Sequence, residues 1–514
     1  MKPGLVRRLR KSSQILSFAL FMFLFIQAVY LGQTPLESDL YYRFDPLIAS
    51  TAMLAGRTLI AGLLYALINL LAAVIFGRVW CGWVCPMGTT LDWISPKKCL
   101  QKNRISPKWR VAKYLLFSAL IFAAIFGNQT LLITDPISIF TRTLTSALWP
   151  GLRFLVFSVE SFLYQFDVLW PVLDRLNSNV LLPLFQGIES VFIAALPIFL
   201  FFMIIVGLNW ISERFWCRYF CPLGGMLGLF SRPAVFRREV SEVCTSCGLC
   251  SQNCPIGTID KEKNFASDPA ECIVCYDCVA DCPVGAISFP VHTPFLESAE
   301  RQHYDPTRRQ VLRTMAGSAV GVSLLGIETI QRREPERMIR PPGAALTDFT
   351  SICMRCGECV RVCPTQGLQP SLLEGGFQNV FTPHLVPRLG YCSYNCSACI
   401  QVCPTGAIPP ISLEEKQTTP IGLASINTNR CLPWAYTTNC GVCEEVCPLG
   451  EKAIRLEEVR ETDLHGNSIL IKRPYVLWEL CIGCGVCEYH CPVGGEAAIQ
   501  VQTLPKTDVF ITGY

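Results

Sequence analysis

The sequence predicts a multidomain membrane protein: a four-helix transmembrane domain, a fifth short membrane helix, and two α+β domains organised around cysteines. Three observations lead there. Hydrophobic residues make up 51% of the 514 and charged residues only 16%, too apolar for an ordinary soluble chain. The long apolar runs all lie before residue 230. The 29 cysteines fall almost entirely into one repeated spacing, which points to metal rather than to disulfides. A chain of this length holds three or four domains, and a net charge of +4 gives no argument for nucleic acid.

Residues 1–230 are the predicted transmembrane domain. Lys2, Arg7, Arg8, Arg10 and Lys11 precede a first apolar run near 13–32, and others lie near 57–77, 114–133 and 190–209. Each has about 20 residues, the length a helix needs to cross hydrocarbon. Lys97, Lys98, Lys102, Arg104, Lys108 and Arg110 crowd the loop between the second and third runs. The positive-inside bias puts that loop and the N-terminus in the cytoplasm. The stretch 134–189 then lies outside, as helices on the membrane surface. A signal peptide is the rival reading of 1–32, but no small-residue cleavage site follows Tyr30, and an uncleaved anchor is expected. No histidine precedes His292 and no Cys-x-x-Cys-His occurs, which excludes a membrane haem held between histidines and argues against c-type haem.

The membrane part reads as a duplication. Each half turns outside at an Asp-Pro, Asp45-Pro46 or Asp135-Pro136. Each ends inside at Trp-Cys-x3-Cys-Pro-x-Gly: Trp80, Cys81, Cys85, Pro86 and Gly88, then Trp216, Cys217, Cys221, Pro222 and Gly224. Matched landmarks of this kind suggest a pseudo-twofold pair of helical hairpins.

Residues 231–295 form a soluble module, 296–340 a linker with a short apolar stretch at Thr314–Ile327, and 341–514 a second polar domain. The cysteines there obey one grammar, Cys-x2-Cys-x2-Cys-x3-Cys-Pro. The N-terminal module carries Cys244, Cys247, Cys250, Cys254 and then Cys272, Cys275, Cys278, Cys282. The C-terminal domain carries Cys353, Cys356, Cys359, Cys363, then Cys392, Cys396, Cys399, Cys403, then Cys431, Cys440, Cys443, Cys447, and last Cys481, Cys484, Cys487, Cys491. This run is similar to that of bacterial two-cluster ferredoxins, in which the fourth cysteine of one group ligates the other cluster. Structural zinc also takes four thiolates, but rarely at this spacing with a trailing Pro. Six [4Fe-4S] clusters are expected.

The cross-over rule predicts Cys244, Cys247, Cys250 with Cys282, and Cys272, Cys275, Cys278 with Cys254. In the C-terminal domain the two outer groups are regular and the two inner ones irregular. Matching like with like gives Cys353, Cys356, Cys359 with Cys491, and Cys481, Cys484, Cys487 with Cys363. The inner sets are then Cys392, Cys396, Cys399 with Cys447, and Cys431, Cys440, Cys443 with Cys403. Pairing in sequence order is the alternative. The two Cys-x3-Cys-Pro sites supply two thiolates each; packed about a pseudo-twofold, Cys81, Cys85, Cys217 and Cys221 complete a seventh cluster. Copper, zinc or a redox-active disulfide are the rivals there. Cys99 is left over as a free thiol.

Thr307-Arg308-Arg309-Gln310-Val311-Leu312 before a Gly/Ala/Ser-bearing apolar stretch is similar to a twin-arginine export signal, unusually placed inside a chain. Export puts 341–514 outside, with about 30 Å of hydrocarbon between clusters on opposite faces. A mobile quinone removes that difficulty. Asp45 and Asp135, with Arg43 and Arg142, are candidate proton-handling or quinone-contacting groups at the outer face; helix capping by Asp-Pro is the structural alternative.

Residues 1–295 resemble the NapH/MauN ferredoxin-type membrane proteins in their four helices, two Cys-x3-Cys-Pro sites and following two-cluster run. Residues 305–514 resemble the NapG/MauM ferredoxin-type proteins in the twin-arginine leader, Arg340-Pro341-Pro342-Gly343-Ala344, and the irregular second and third cysteine groups. The resemblance implies a fusion of two quinol dehydrogenase components, resident in the cytoplasmic membrane. It would pass electrons from the quinone pool to an extracytoplasmic oxidoreductase. Two other functions fit the residues: a factor that reduces a maturing metalloenzyme, and a ferredoxin–quinone link. No catalytic acid–base pair, nucleophile, Walker loop or dinucleotide fingerprint stands out, so a self-contained substrate-converting enzyme is not expected.

Overall fold

A computed structural model describes residues 3–29, 38–96, 105–185, 191–292, 312–313, 315–319, 321, 338–344, 348–462 and 468–504. Two compact units result. The first takes Met1–Leu144, Leu196–Gln331 and Ser351–Cys356; the second takes Thr145–Ala195, Arg332–Thr350 and Gly357–Tyr514. The boundary drawn at 230/231 from composition therefore falls inside the first unit, where the helices and the first cysteine module pack as one body.

Helices dominate the first unit: α1 (Pro3–Gln27), α2 (Leu40–Arg43), α3 (Pro46–Gly56), α4 (Ala66–Phe76), α5 (Val79–Trp83), α6 (Pro86–Ile94), α7 (Val111–Ile125) and α8 (Pro136–Thr143). The second unit interposes α9 (Trp149–Leu163), α10 (Trp170–Leu176) and α11 (Leu182–Leu184). The first then resumes with α12 (Ala195–Ile211), α13 (Phe215–Tyr219) and α14 (Pro222–Phe230). Among the described residues one helix, Gly4–Gln27, is long and apolar enough to cross a membrane. Pro46–Gly56, Ala61–Phe76, Val111–Ile125 and Ala195–Ile211 are apolar but shorter, so four full-length spans are not what the structure draws. Local backbone explains the shortening. Arg57 ends α3 in a left-handed turn (φ 50°), and Gly127 (φ 72°) follows α7 well before the apolar run ends at 133. The surface helices expected over 134–189 divide: every residue of α8 is buried, whereas α9 and α10 expose Phe154, Leu155, Phe162 and Trp170. The fifth helix and the twin-arginine segment fall almost wholly outside the described residues, as does Cys99.

One local device recurs four times. An Asp or Cys at the N-cap followed by Pro at the first helical position starts α3 (Asp45), α6 (Cys85), α8 (Asp135) and α14 (Cys221), and the side chain accepts a cap hydrogen bond in all but α6. Pro is suited there because its missing N–H has no helical partner to lose. Asp45 Oδ1 accepts from Leu47 N (2.8 Å) and Ile48 N (3.2 Å), and Asp135 Oδ2 from Ser138 N (2.8 Å).

The cysteine modules are held by short antiparallel pairs. In the first unit β1 (Glu239–Val240) pairs with β2 (Ile287–Ser288). In the second, β3 (Leu368–Pro370) pairs with β4 (Pro383–Leu385), β5 (Leu423–Ile426) with β8 (Ile499–Gln502), and β6 (Ile454–Thr462) with β7 (Ser468–Val476) in a nine-residue register.

Candidate metal centres

The regular cysteine groups owe their shape to backbone. In all four, the residues on either side of the second cysteine take positive φ: Ser246 and Gly248, Val274 and Tyr276, Arg355 and Gly357, Gly483 and Gly485. Left-handed backbone costs a side-chain-bearing residue about 1–2 kcal/mol. Such turns aim successive N–H groups into one concavity, the arrangement that suits an anion. Within Cys392–Cys403 and Cys440–Cys447 no residue has positive φ, so the irregular groups reach their shape differently.

The structure brings Cys244, Cys247, Cys250 and Cys282 around one cavity, and Cys272, Cys275, Cys278 and Cys254 around another. The β1–β2 pair accounts for this, because β1 precedes Cys244 and β2 follows Cys282.

The like-with-like pairing of the C-terminal groups is corrected. Cys363, not Cys447, joins Cys392, Cys396 and Cys399 around one cavity. Cys491, not Cys403, joins Cys431, Cys440 and Cys443 around another. Cys447, not Cys363, stands beside Cys481 and Cys484. Cys353, Cys356 and Cys359 thereby lose the Cys491 assigned to them. The physical reason is strand pairing. Strand β5 leads into Cys431 and β8 follows Cys491, and their ladder (Ile426 opposite Ile499) closes the third and fourth groups as β1–β2 closes the first module. Irregular spacing reflects loop length within a group, not the choice of partner.

These cavities fit a polynuclear cluster. Four thiols ring each of them, the donor set a [4Fe-4S] cubane requires.

Cys81, Cys85, Cys217 and Cys221 come together as a fourfold set; all are buried and free. No disulfide links either pair. Burial pushes the Cys217 thiol up to about 11, and burial with neighbouring thiols pushes Cys85 and Cys221 up as well. Such sulfurs ionise only with a cation to offset the charge. Cys85 and Cys221 sit at helix N-termini, and the Gly224 N–H donates to the Cys221 sulfur (3.3 Å), which favours a thiolate there.

Two arginines that the sequence reading passed over hold this set together reciprocally. Arg214, from the second hairpin, donates to the Cys81 carbonyl of the first (2.6 Å) and grips both oxygens of Asp92 (2.5 and 2.6 Å). A Cβ at Gly88 would lie 3.3 Å from its guanidinium. Arg78, from the first hairpin, reaches the second: a Cβ at Gly224 would lie 2.4 Å from its Nη2. Arg78 also pairs with Glu271 (3.0 Å), next to Cys272. The glycine of each Cys-Pro-x-Gly thus leaves room for the other copy's arginine. The signal was present in the sequence as a repeated Arg-x-Trp-Cys, Arg78 to Cys81 and Arg214 to Cys217. Glu271 is fully buried, yet Lys113, Arg110 and Arg78 overcome that burial and hold its carboxyl down at about 2.

The quinone-contact candidates are not grouped at a surface. Asp45 and Asp135 are wholly buried, capping α3 and α8, with their carboxyls facing each other. Arg142 is buried and donates to the carbonyls of Ile133 and Arg355 (both 3.1 Å). Arg43 pairs with Asp39 at 2.9 Å. Capping is the role the geometry displays for both aspartates.

A family described as a 4Fe-4S binding domain matches residues 58–110 and 194–241, one segment on each copy of the hairpin motif. A family described as a 4Fe-4S dicluster domain matches 352–407 and 437–495, which groups the C-terminal cysteines in sequence order. A third, again a 4Fe-4S binding domain, matches 241–259. The chain is 26% identical to the methylamine utilization ferredoxin-type protein MauN of Methylorubrum extorquens, over 48% of this chain and 73% of that one. It is 23% identical to the putative electron transport protein YccM of Escherichia coli, over 42% and 51%. It is 42% identical to the ferredoxin-type protein NapG of Escherichia coli, over 16% and 35%. No solved structure matches the chain.

Proposed function

For an iron–sulfur electron-transfer protein that fits a NapH/MauN-type protein with a NapG-like ferredoxin region, we propose the role of a membrane-bound quinol dehydrogenase serving an extracytoplasmic oxidoreductase. Seven clusters serve it: six in the cysteine modules and one at Cys81, Cys85, Cys217 and Cys221. Bound clusters supply one-electron transfer; the chain's own residues position them, shield them and set their charge. Asp45 and Asp135, facing each other, hold a shared proton, since two buried carboxylates in contact do not both ionise. Arg142 and Arg43 lie within reach of that segment and complete the proposed quinone-side groups.

Sidedness belongs to the same reading. Lys113, at the start of α7, meets Glu271 of the first cysteine module, while Gly127, just past its end, lies against Ser351. A 15-residue helix spans about 22 Å. Within the first unit, the segments 231–295 and Ser351–Cys356 meet opposite ends of one apolar helix, which supports the reading that these two cysteine-bearing segments face opposite sides. The observation that carries the proposal is the convergence of four buried cysteines beside the first module. It is tested by adding a reduced quinone analogue to anaerobically purified protein and recording the cluster signals. Stoichiometric reduction of the clusters with quinol oxidation supports the role. Reduction by ferredoxin but not by quinol contradicts it.

A further inference from the structure

We infer that Gly82 is the positioning residue for electron transfer between the Cys254, Cys272, Cys275, Cys278 set and the four converged cysteines of the hairpins. The inference rests on reading those four as a cluster site. Gly82 follows Cys81 directly, and Ile273 follows Cys272 directly. A Cβ on Gly82 would lie 2.4 Å from the Ile273 carbonyl oxygen and 3.4 Å from its carbon. No side chain comes between the two cysteine-bearing backbones, and only glycine allows that approach.

The contact is fastened on both sides. Trp83 Nε1 donates to the Val274 carbonyl (3.0 Å). Gln14 and Arg10 of α1 donate to the Gly82 carbonyl (3.0 and 3.3 Å). Arg10 is buried and also bridges Asp92 (2.7 Å), which holds Arg214, to Asp277 (2.8 Å), which adjoins Cys278. One side chain thereby fixes both cysteine sets against the same carbonyl. The pseudo-twofold breaks here. The residue after Cys217 is Arg218, which turns to Ser212 (2.6 Å) instead of admitting a neighbouring backbone. The first copy is therefore the docked one, and the order of transfer is fixed. The Cys244 group, whose Cys247 is exposed, is the outer station, and the Cys272 group, whose Cys275 and Cys278 are buried, hands on to the hairpins. One electron leaves one site and enters the other; no bond forms or breaks and no proton moves.

The test uses the full chain, purified anaerobically, with Gly82→Ala. Clearing the Ile273 carbonyl to an ordinary 3.4 Å contact requires about 1 Å of separation. Two readouts are taken: the magnetic splitting between the two reduced centres, and the rate of transfer after photoreduction of the outer module. The expectation is wild-type iron content, a narrowed splitting and a rate lower by severalfold, because electron transfer falls off exponentially with the gap between centres. Wild-type splitting and rate overturn the inference. Trp83→Phe removes the fastening bond without adding an atom at the contact, and serves if the alanine variant does not accumulate. It should narrow the splitting and slow transfer by less than the alanine variant does, and wild-type behaviour there also overturns the inference. Gly207→Ala, whose Cβ meets nothing within 4 Å, is the control. Wild-type protein with no magnetic signal from the hairpin site sinks the cluster reading instead, independently of Gly82.

Discussion

The two kinds of cysteine site in this chain are built by opposite strategies. A regular module group gathers three sulfurs within about seven residues, uses left-handed backbone on either side of its second cysteine, and borrows one sulfur from a partner group. The hairpin site has no local majority: two sulfurs come from each copy, and buried arginines cross from one to the other. The first design takes three of its four sulfurs from local spacing. The second exists only when the two hairpins are docked, so it depends on charges buried between them.

That contrast is broken first at Arg214. Arg214→Met leaves Asp92 without the guanidinium that grips both its oxygens, a loss on the order of 3–5 kcal/mol for a buried pair. Thermal unfolding should drop sharply, and iron should be lost from the hairpin site before the modules. Equal loss from all sites would merge the two designs.

Acid is the next lever. Glu271 is held at about 2 against an ordinary value of 4.5, so the folded state binds its proton more weakly than the unfolded chain. Its contribution, on the order of 3 kcal/mol, is complete above about pH 4.5 and is lost as pH falls toward 2. Melting temperature measured from pH 6 to pH 3 should fall less steeply in Glu271→Gln than in the wild type, from a lower starting point. A parallel fall would show that Glu271 is not the linked group.

Gly224→Ala and Gly88→Ala sharpen the comparison within the duplicated site. Overpacking costs about 1–3 kcal/mol. A Cβ at Gly88 would meet the Cys81 backbone carbonyl at 2.8 Å, and one at Gly224 the end of the Arg78 side chain at 2.4 Å, so the Gly88 variant, with a backbone atom to displace, should be the worse in thermal melting and iron retention. The reverse order would contradict that reading.

The smallest effect belongs to the modules. Ser246→Gly relieves a left-handed serine (φ 55°), and the relief of about 1–2 kcal/mol should exceed the added entropy of the unfolded chain. A slight rise in melting temperature is expected, with iron content unchanged.

What the sequence disclosed divides along the same line. Spacing placed the module cysteines in groups, because the left-handed turns that shape a group lie inside it. The Trp-Cys-x3-Cys-Pro-x-Gly repeat disclosed the duplication, because each copy carries its own N-cap and Pro. Pairing of the C-terminal groups was not legible in spacing. It depends on β5 meeting β8, some 70 residues apart, and four-residue strands give little sequence signal. Helix lengths were overstated because hydropathy does not register a left-handed Arg57 or the turn at Gly127. Arg78 and Glu271 went unseen for a similar reason: one lies beside a membrane run and the other beside a ligand, and only folding makes them a pair.

The most direct trial of the central claim is a count of iron and acid-labile sulfide on the full chain purified without oxygen. Seven cubanes give about 28 irons per chain, with Cys217→Ser removing about four. About 24 irons in the wild type, unchanged by that substitution, would mean that the four buried cysteines between the hairpins hold no cluster.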